Sequence, residues 1–231
     1  MRILPGAQGT DVWRAVKRGT PSASQFHRIL SPGRLEVSAQ SFGYLCELVA
    51  ERILNVDISA DSTAFMERGT IMETEAIAFY ELERGVDTQA VGFCVRDDGI
   101  VGCSPDRLVG DDGGLELKCP SAAVHVGYLL DGISTKYRLQ VQGALWITKR
   151  SWWDLMSYNP DLPSALVRCF PEKVVQDALD AAMPTFLAEL DRATEKLGGE
   201  ARGDLEGLLM RSIDIARQRR IELEQPSLPE A

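Results

Sequence analysis

Asp106, Glu116 and Lys118 have the residue types and spacing best suited to chemistry in this 231-residue chain. The run from Cys103 to Pro120 reads CSPDRLVGDDGGLELKCP, which puts Asp106 ten residues before Glu116 and Lys118 two residues after it. Side chains alternate along a strand, so a strand over Leu115 to Lys118 sets Glu116 and Lys118 on one face and Leu115 and Leu117 on the other. Gly110, Asp111, Asp112, Gly113 and Gly114 form a turn signal that folds the chain back and brings Asp106 beside Glu116. Two carboxylates held together repel, and a cation offsets that cost. Carboxylate, carbonyl and water ligands suit Mg²⁺ or Mn²⁺. The chemistry this implies is phosphodiester hydrolysis. A bound metal lowers the pKa of water, while Lys118 orients or deprotonates that water, or stabilises the charge that develops on phosphorus.

Pro105, Asp106, Glu116 and Lys118 together resemble the PD-(D/E)xK nuclease motif, and the elements around them must hold that motif in place. A long helix is expected from Asp61 or Ser62 to about Glu83, ended by Gly85, with Gly69, Glu73, Ile77 and Tyr80 on the stripe that faces the sheet. Glu73 is thereby a carboxylate in need of a partner, which a metal, its water or Lys118 would supply. Residues 90–104 read as a strand, an Asp98-Gly99 turn and a second strand, forming an antiparallel meander with the Glu116 strand. Ser121 to Leu130 form a short helix, and Ser134 to Thr148 a longer one that carries Gln140 at its edge, where an amide can bond the nucleophilic water or the substrate backbone. Further upstream, Ser22 or Ser24 caps a short helix close to Arg14, Lys17 and Arg18, and such a helix start suits a phosphate. Ser41 to Leu54 form a core helix. Ser151 to Tyr158 and Ala165 to Phe170 extend the sheet, and Glu172 to about Leu197 form a long amphipathic helix.

Composition sets the frame. The hydrophobic content of 45% and charged content of 26% are those of a soluble globular chain. With no stretch of about 18 apolar residues and no secretory leader pattern, the expected location is the cytoplasm. Five cysteines without a Cys-x-x-Cys pair and only two histidines argue against zinc and for reduced thiols. A net charge of −9 argues against a protein that coats nucleic acid through a basic face, but allows a nuclease with a basic groove. The length suits one domain over 1–231: a core to about residue 197, a polar helix from Asp204 to about Glu222 within about 200–224, and a disordered tail from Gln225.

These blocks in this order resemble the exonuclease of phage lambda and related YqaJ-type viral recombinases, over nearly the whole length up to about Leu197. The matches are Trp13 through Ser24, Gly69 with Glu73, Ser104-Pro105-Asp106, Leu115 to Pro120 and Gln140-Val141-Gln142. The resemblance implies an α/β fold with a mixed central sheet flanked by helices and a restriction-endonuclease-like core. It also implies degradation of the 5′-ended strand of linear duplex DNA, with release of 5′-mononucleotides and 3′ tails left for recombination by strand annealing. Asp106, Glu116 and the Leu117 carbonyl are the implied metal ligands for two Mg²⁺ ions, which Mn²⁺ can replace, about 4 Å apart. Lys118 and Gln140 are placed near the nucleophile, and Glu73 supports the second metal or Lys118. Lys17 takes the place of a family arginine in a 5′-phosphate pocket completed by Ser24 and Ser104, with Arg14 or Arg18 as alternative cations. The implied partners are DNA ends, a single-strand annealing protein and two further copies of the chain in a ring-shaped trimer. An endonuclease or junction resolvase, or a non-catalytic relative, is the alternative.

Overall fold

The computed structural model describes residues 1–58, 64–97, 101–200 and 214, and for 64–71 the backbone alone. Its central sheet has five strands: β2 (Thr88–Gln89), β5 (Arg107–Val109), β6 (Gly113–Lys118), β7 (Trp152–Ser157) and β8 (Ala165–Cys169), side by side in that order. The sheet is mixed, because β6 and β7 are parallel while the other pairs are antiparallel. A smaller sheet in the order β1 (Arg2–Leu4), β3 (Phe93–Val95), β4 (Gly102–Cys103) stands apart from it. The single meander expected over residues 90–118 is therefore divided. β3 and β4 pair with each other but belong to the small sheet, and the chain enters the large one only at Arg107. β1, an N-terminal strand outside the sequence reading, completes the small sheet.

The hairpin between β5 and β6 is also tighter than expected. Val109 pairs with Gly113, so the loop is Gly110 to Asp112, with Gly110 at φ 51°, and Gly113 and Gly114 are strand residues. Their lack of a side chain serves packing. A Cβ on Gly113 would lie 2.0 Å from the Trp152 ring, and one on Gly114 would lie 2.4 Å from the Trp153 ring. The two indoles of β7 occupy the space that side chains on β6 would need.

The helices follow the expected order: α1 (Asp11–Lys17), α2 (Phe26–Ile29), α3 (Ser41–Leu54), α4 (Ala64–Arg84), α5 (Ala122–Asp131), α6 (Arg138–Thr148) and α7 (Lys173–Lys196). α3 ends where Asn55 turns into the left-handed region, and α7 runs through Pro184. On one face of the sheet α4 covers Leu115, Leu117 and Met156 with Ala76 and Tyr80. On the other, Trp153 and Leu155 join α2, α3, α6 and α7 in the main core. α6 is the central element of that core. Leu139 and every residue from Val141 to Thr148 are buried, so it is not the one-faced helix expected, and Arg138 and Gln140 are its half-exposed positions. A helix packed against neighbours on all sides needs this nearly uniform apolar composition. Gln142 within it bonds the Phe170 carbonyl and the Glu172 N–H, which joins the end of β8 to the start of α7.

Neither Ser22 nor Ser24 caps a helix through its side chain. Ser24 lies in a single 3₁₀ turn, Ala23–Gln25, and Ser22 is the extended residue just before it, with the two hydroxyls 3.1 Å apart. The cap at Asp61 or Ser62, the Asp98-Gly99 turn and the tail lie outside the described residues; of the expected polar helix near the C-terminus only Asp214, helical and exposed, is within them. Among the described residues no helix is long and apolar enough to cross a membrane.

Candidate active site

β6 presents its two faces as strand alternation requires. Leu115 and Leu117 are buried against α4, while Glu116 points into a cleft of about 380 Å³ on the α6 side. The Asp106 carboxylate reaches the same strand, because its Oδ2 accepts a hydrogen bond from the Leu117 N–H at 2.6 Å. Lys118 Nζ donates to Glu116 Oε1 at 2.5 Å, and Gln140 Nε2 donates to the same oxygen at 2.5 Å. A carboxylate this buried is tolerated because it is paired and hydrogen-bonded.

The electrostatics reflect crowding. Burial, and then the Glu116 carboxylate, push the Asp106 carboxyl well above the usual carboxylate range, against the opposing pull of the Leu117 N–H and Lys118. Burial alone would lower the Lys118 ammonium, but Glu116 and the hydrogen bond to it more than offset this, and the net shift is upward. Lys118 also lies 4.8 Å from the centre of the Tyr137 ring, a favourable placement for a cation. Burial likewise pushes the Cys119 thiol up to about 11, so it stays a neutral packing group beside the site.

The same cleft is lined by Lys17, Ser24 and Ser104. Ser104 Oγ accepts from the Trp13 indole N–H at 2.9 Å, which leaves its own hydroxyl proton to donate. Lys17 lies 4.6 Å over the Trp13 ring one helical turn away, and burial lowers its pKa. The other two basic candidates are engaged elsewhere: Arg14 pairs with Asp11, and Arg18 with Asp57 and Asn55. Of the three, Lys17 alone lines the cleft.

Glu73 is placed differently from the sequence expectation. It is exposed, and the first buried residue among the described side chains of α4 is Ala76. The stripe on the sheet therefore runs through Ala76 and Tyr80, and Glu73 needs no buried partner. It lines an adjoining cavity of about 500 Å³ that shares Asp106 with the main cleft, and its charge adds to the upward pressure on Asp106.

Trp13 and Tyr137 are site residues to which residue-level reading assigned no role. The signal was present in their spacing: Trp13 precedes Lys17 by one turn, and Tyr137 precedes Gln140 by three residues.

Among the described residues no cluster of three or more His, Cys, Asp or Glu is placed to hold a metal. Asp106 and Glu116 are the two carboxylates that line the cleft, and the Leu117 main chain is bonded to the first of them. Two close carboxylates, one of them destabilised as an anion by the other, fit a hard divalent cation.

The chain matches the model of the YqaJ-like viral recombinase domain over residues 12–151. No curated protein sequence matches it. Among solved structures it is similar to an alkaline exonuclease, LHK-Exo, from Laribacter hongkongensis, at 30% identity and a TM-score of 0.73, over 82% of this chain and 96% of that one. The same exonuclease in complex with dAMP matches at 30% identity and a TM-score of 0.72, over 81% and 96%. A phage-related exonuclease from Haemophilus somnus 129PT shares the fold at 12% identity, with a TM-score of 0.62 over 77% and 96%.

Proposed function

Because this chain belongs to the family of YqaJ-like viral recombinase domains, we propose that it is a Mg²⁺-dependent exonuclease acting on linear double-stranded DNA. It removes 5′-mononucleotides in the 5′-to-3′ direction and leaves 3′ single-stranded tails for recombination by strand annealing. The observation that carries this reading is convergence. Lys17, Ser24, Ser104, Asp106, Glu116, Lys118 and Gln140 come from separate segments of the chain and line one cleft. The similar exonuclease that binds dAMP supports a mononucleotide-sized product.

Asp106, Glu116 and the Leu117 carbonyl would hold the divalent ions, with Glu73 at the margin. Such ions neutralise charge on the scissile phosphate and lower the pKa of water. Lys118, held by Glu116 beside the Tyr137 face, supplies a fixed positive charge and N–H donors toward the phosphate oxygens. Gln140, anchored to Glu116 by its amide nitrogen, keeps its carbonyl oxygen as an acceptor for the attacking water. Ser24, Ser104 and Lys17 hold the terminal 5′-phosphate, which sets the scissile bond in register with Asp106 and Glu116. Lysine offers a point charge where arginine would offer a fork, and the Trp13 indole holds it in place. The proposed working assembly is a ring-shaped homotrimer that feeds its 3′ tail to a single-strand annealing protein.

Digestion of linear and covalently closed duplexes, with and without Mg²⁺, tests the proposal. Only linear DNA should be degraded, only with the ion, and faster from 5′-phosphate than from 5′-hydroxyl ends. Lys17→Ala and Ser104→Ala should shrink that preference. Cleavage of closed circles would favour an endonuclease or resolvase, and equal rates on the two end types would refute the phosphate pocket.

A further inference from the structure

The chain crosses between its two sheets at Ala90 to Gly92, between β2 and β3, and at Ser104 to Asp106, between β4 and β5. Strand pairing stops in both stretches, so their carbonyls need other donors. Gln8 serves both. Its amide nitrogen donates to the Val91 carbonyl at 3.1 Å and to the Pro105 carbonyl at 2.6 Å. These two contacts use the two N–H groups that a carboxamide has.

Pro105 immediately precedes Asp106, so the bond to its carbonyl fixes the peptide plane from which the Asp106 side chain departs. Glu116 belongs to the large sheet, whereas Gln8 follows β1 of the small one. One side chain therefore ties together the two points at which the sheets could turn relative to each other. Gln8 is exposed and lines the cavities on both sides of Asp106, so it is not a packing residue of the core. It also lies outside residues 12–151, the stretch matched by the family.

We propose that Gln8 is a positioning residue that staples the two inter-sheet crossings and so sets Asp106 against Glu116. This rests on the nuclease reading above. Outer partners of metal-binding groups typically contribute about 10–100-fold to affinity or rate, and small misplacements of reacting groups are costly.

Two substitutions separate the staple from bulk. Gln8→Glu keeps the size of the side chain but accepts where the amide donated, and Gln8→Ala removes the side chain. Both should melt close to wild type, and kcat on 5′-phosphorylated linear duplex should fall by about ten-fold or more. KM for DNA ends should stay within about two-fold, because the phosphate pocket is intact. In the DNA-free protein, Mg²⁺ binding measured by calorimetry should weaken by about ten-fold in both variants. Wild-type behaviour of Gln8→Glu in both assays, or tighter Mg²⁺ binding by it, overturns the staple. If wild-type protein degrades no DNA, the nuclease reading fails, and the calorimetric comparison still decides the role of Gln8.

Discussion

Asp106 bears the strain of the site, since burial and the neighbouring Glu116 both favour its neutral form. Its carboxyl is raised in the folded protein, so the fold binds a proton there that the unfolded chain has already released. The resulting stability is complete below the ordinary carboxylate pKa and is lost as pH rises through the raised value. Without metal, Asp106→Asn should therefore melt above wild type at about pH 8, and the gap should close at about pH 4. Added Mg²⁺ should reverse the order at the higher pH, because only wild type gains the ion. Differential scanning calorimetry at the two pH values checks this; a variant less stable than wild type in metal-free buffer at high pH contradicts it. Lys118→Ala removes a fixed charge with little loss of packing. Its rate should drop by about 10²-fold or more at unchanged DNA affinity, measured in single turnovers. Substantial residual Mg²⁺-dependent activity would sink the role given to Lys118.

Among the elements, β6 positions most of the site, and its place depends on the tryptophans of β7. Gly114→Ala would put a methyl group against the Trp153 ring, which is fully buried. Overpacking of this kind costs about 1–3 kcal/mol, or roughly 2–10 °C in melting temperature at this size. An unchanged melting temperature would show that the ring can move aside. Such elements differ in how plainly the sequence announces them. β6, α3 and α7 repeat a period over enough residues to be read, and alternation alone puts Glu116 and Lys118 opposite Leu115 and Leu117. β1, β2 and β4 are two or three residues long, too short for any period, so the division into two sheets is hidden. Glycines that make room for indoles look like turn glycines until the partner strand is known. Gln140 was readable from kinship, whereas Gln8 acts on carbonyls 83 and 97 residues away and leaves no local pattern.

At the scale of the whole molecule, a nuclease with no energy source stays on its track best when the track passes through it, which is the argument for the trimeric ring. Light scattering should give about three chain masses, and a strict monomer that still digests processively would exclude the ring. The parallel pairing of β6 with β7 has a further consequence, for synthesis of the protein. Every proposed site residue lies at or before Gln140, yet the strand that carries Glu116 gains its second neighbour only with residues 152–157. A chain cut at Arg150 holds all the chemistry with β6 left as an open edge, and it should neither cleave DNA nor resist proteolysis. Wild-type-like cleavage by that fragment would refute this. During translation the ribosome delivers the proposed reactive groups first and the strand that pairs with β6 later, so a growing chain should be harmless to nearby DNA until β7 has emerged.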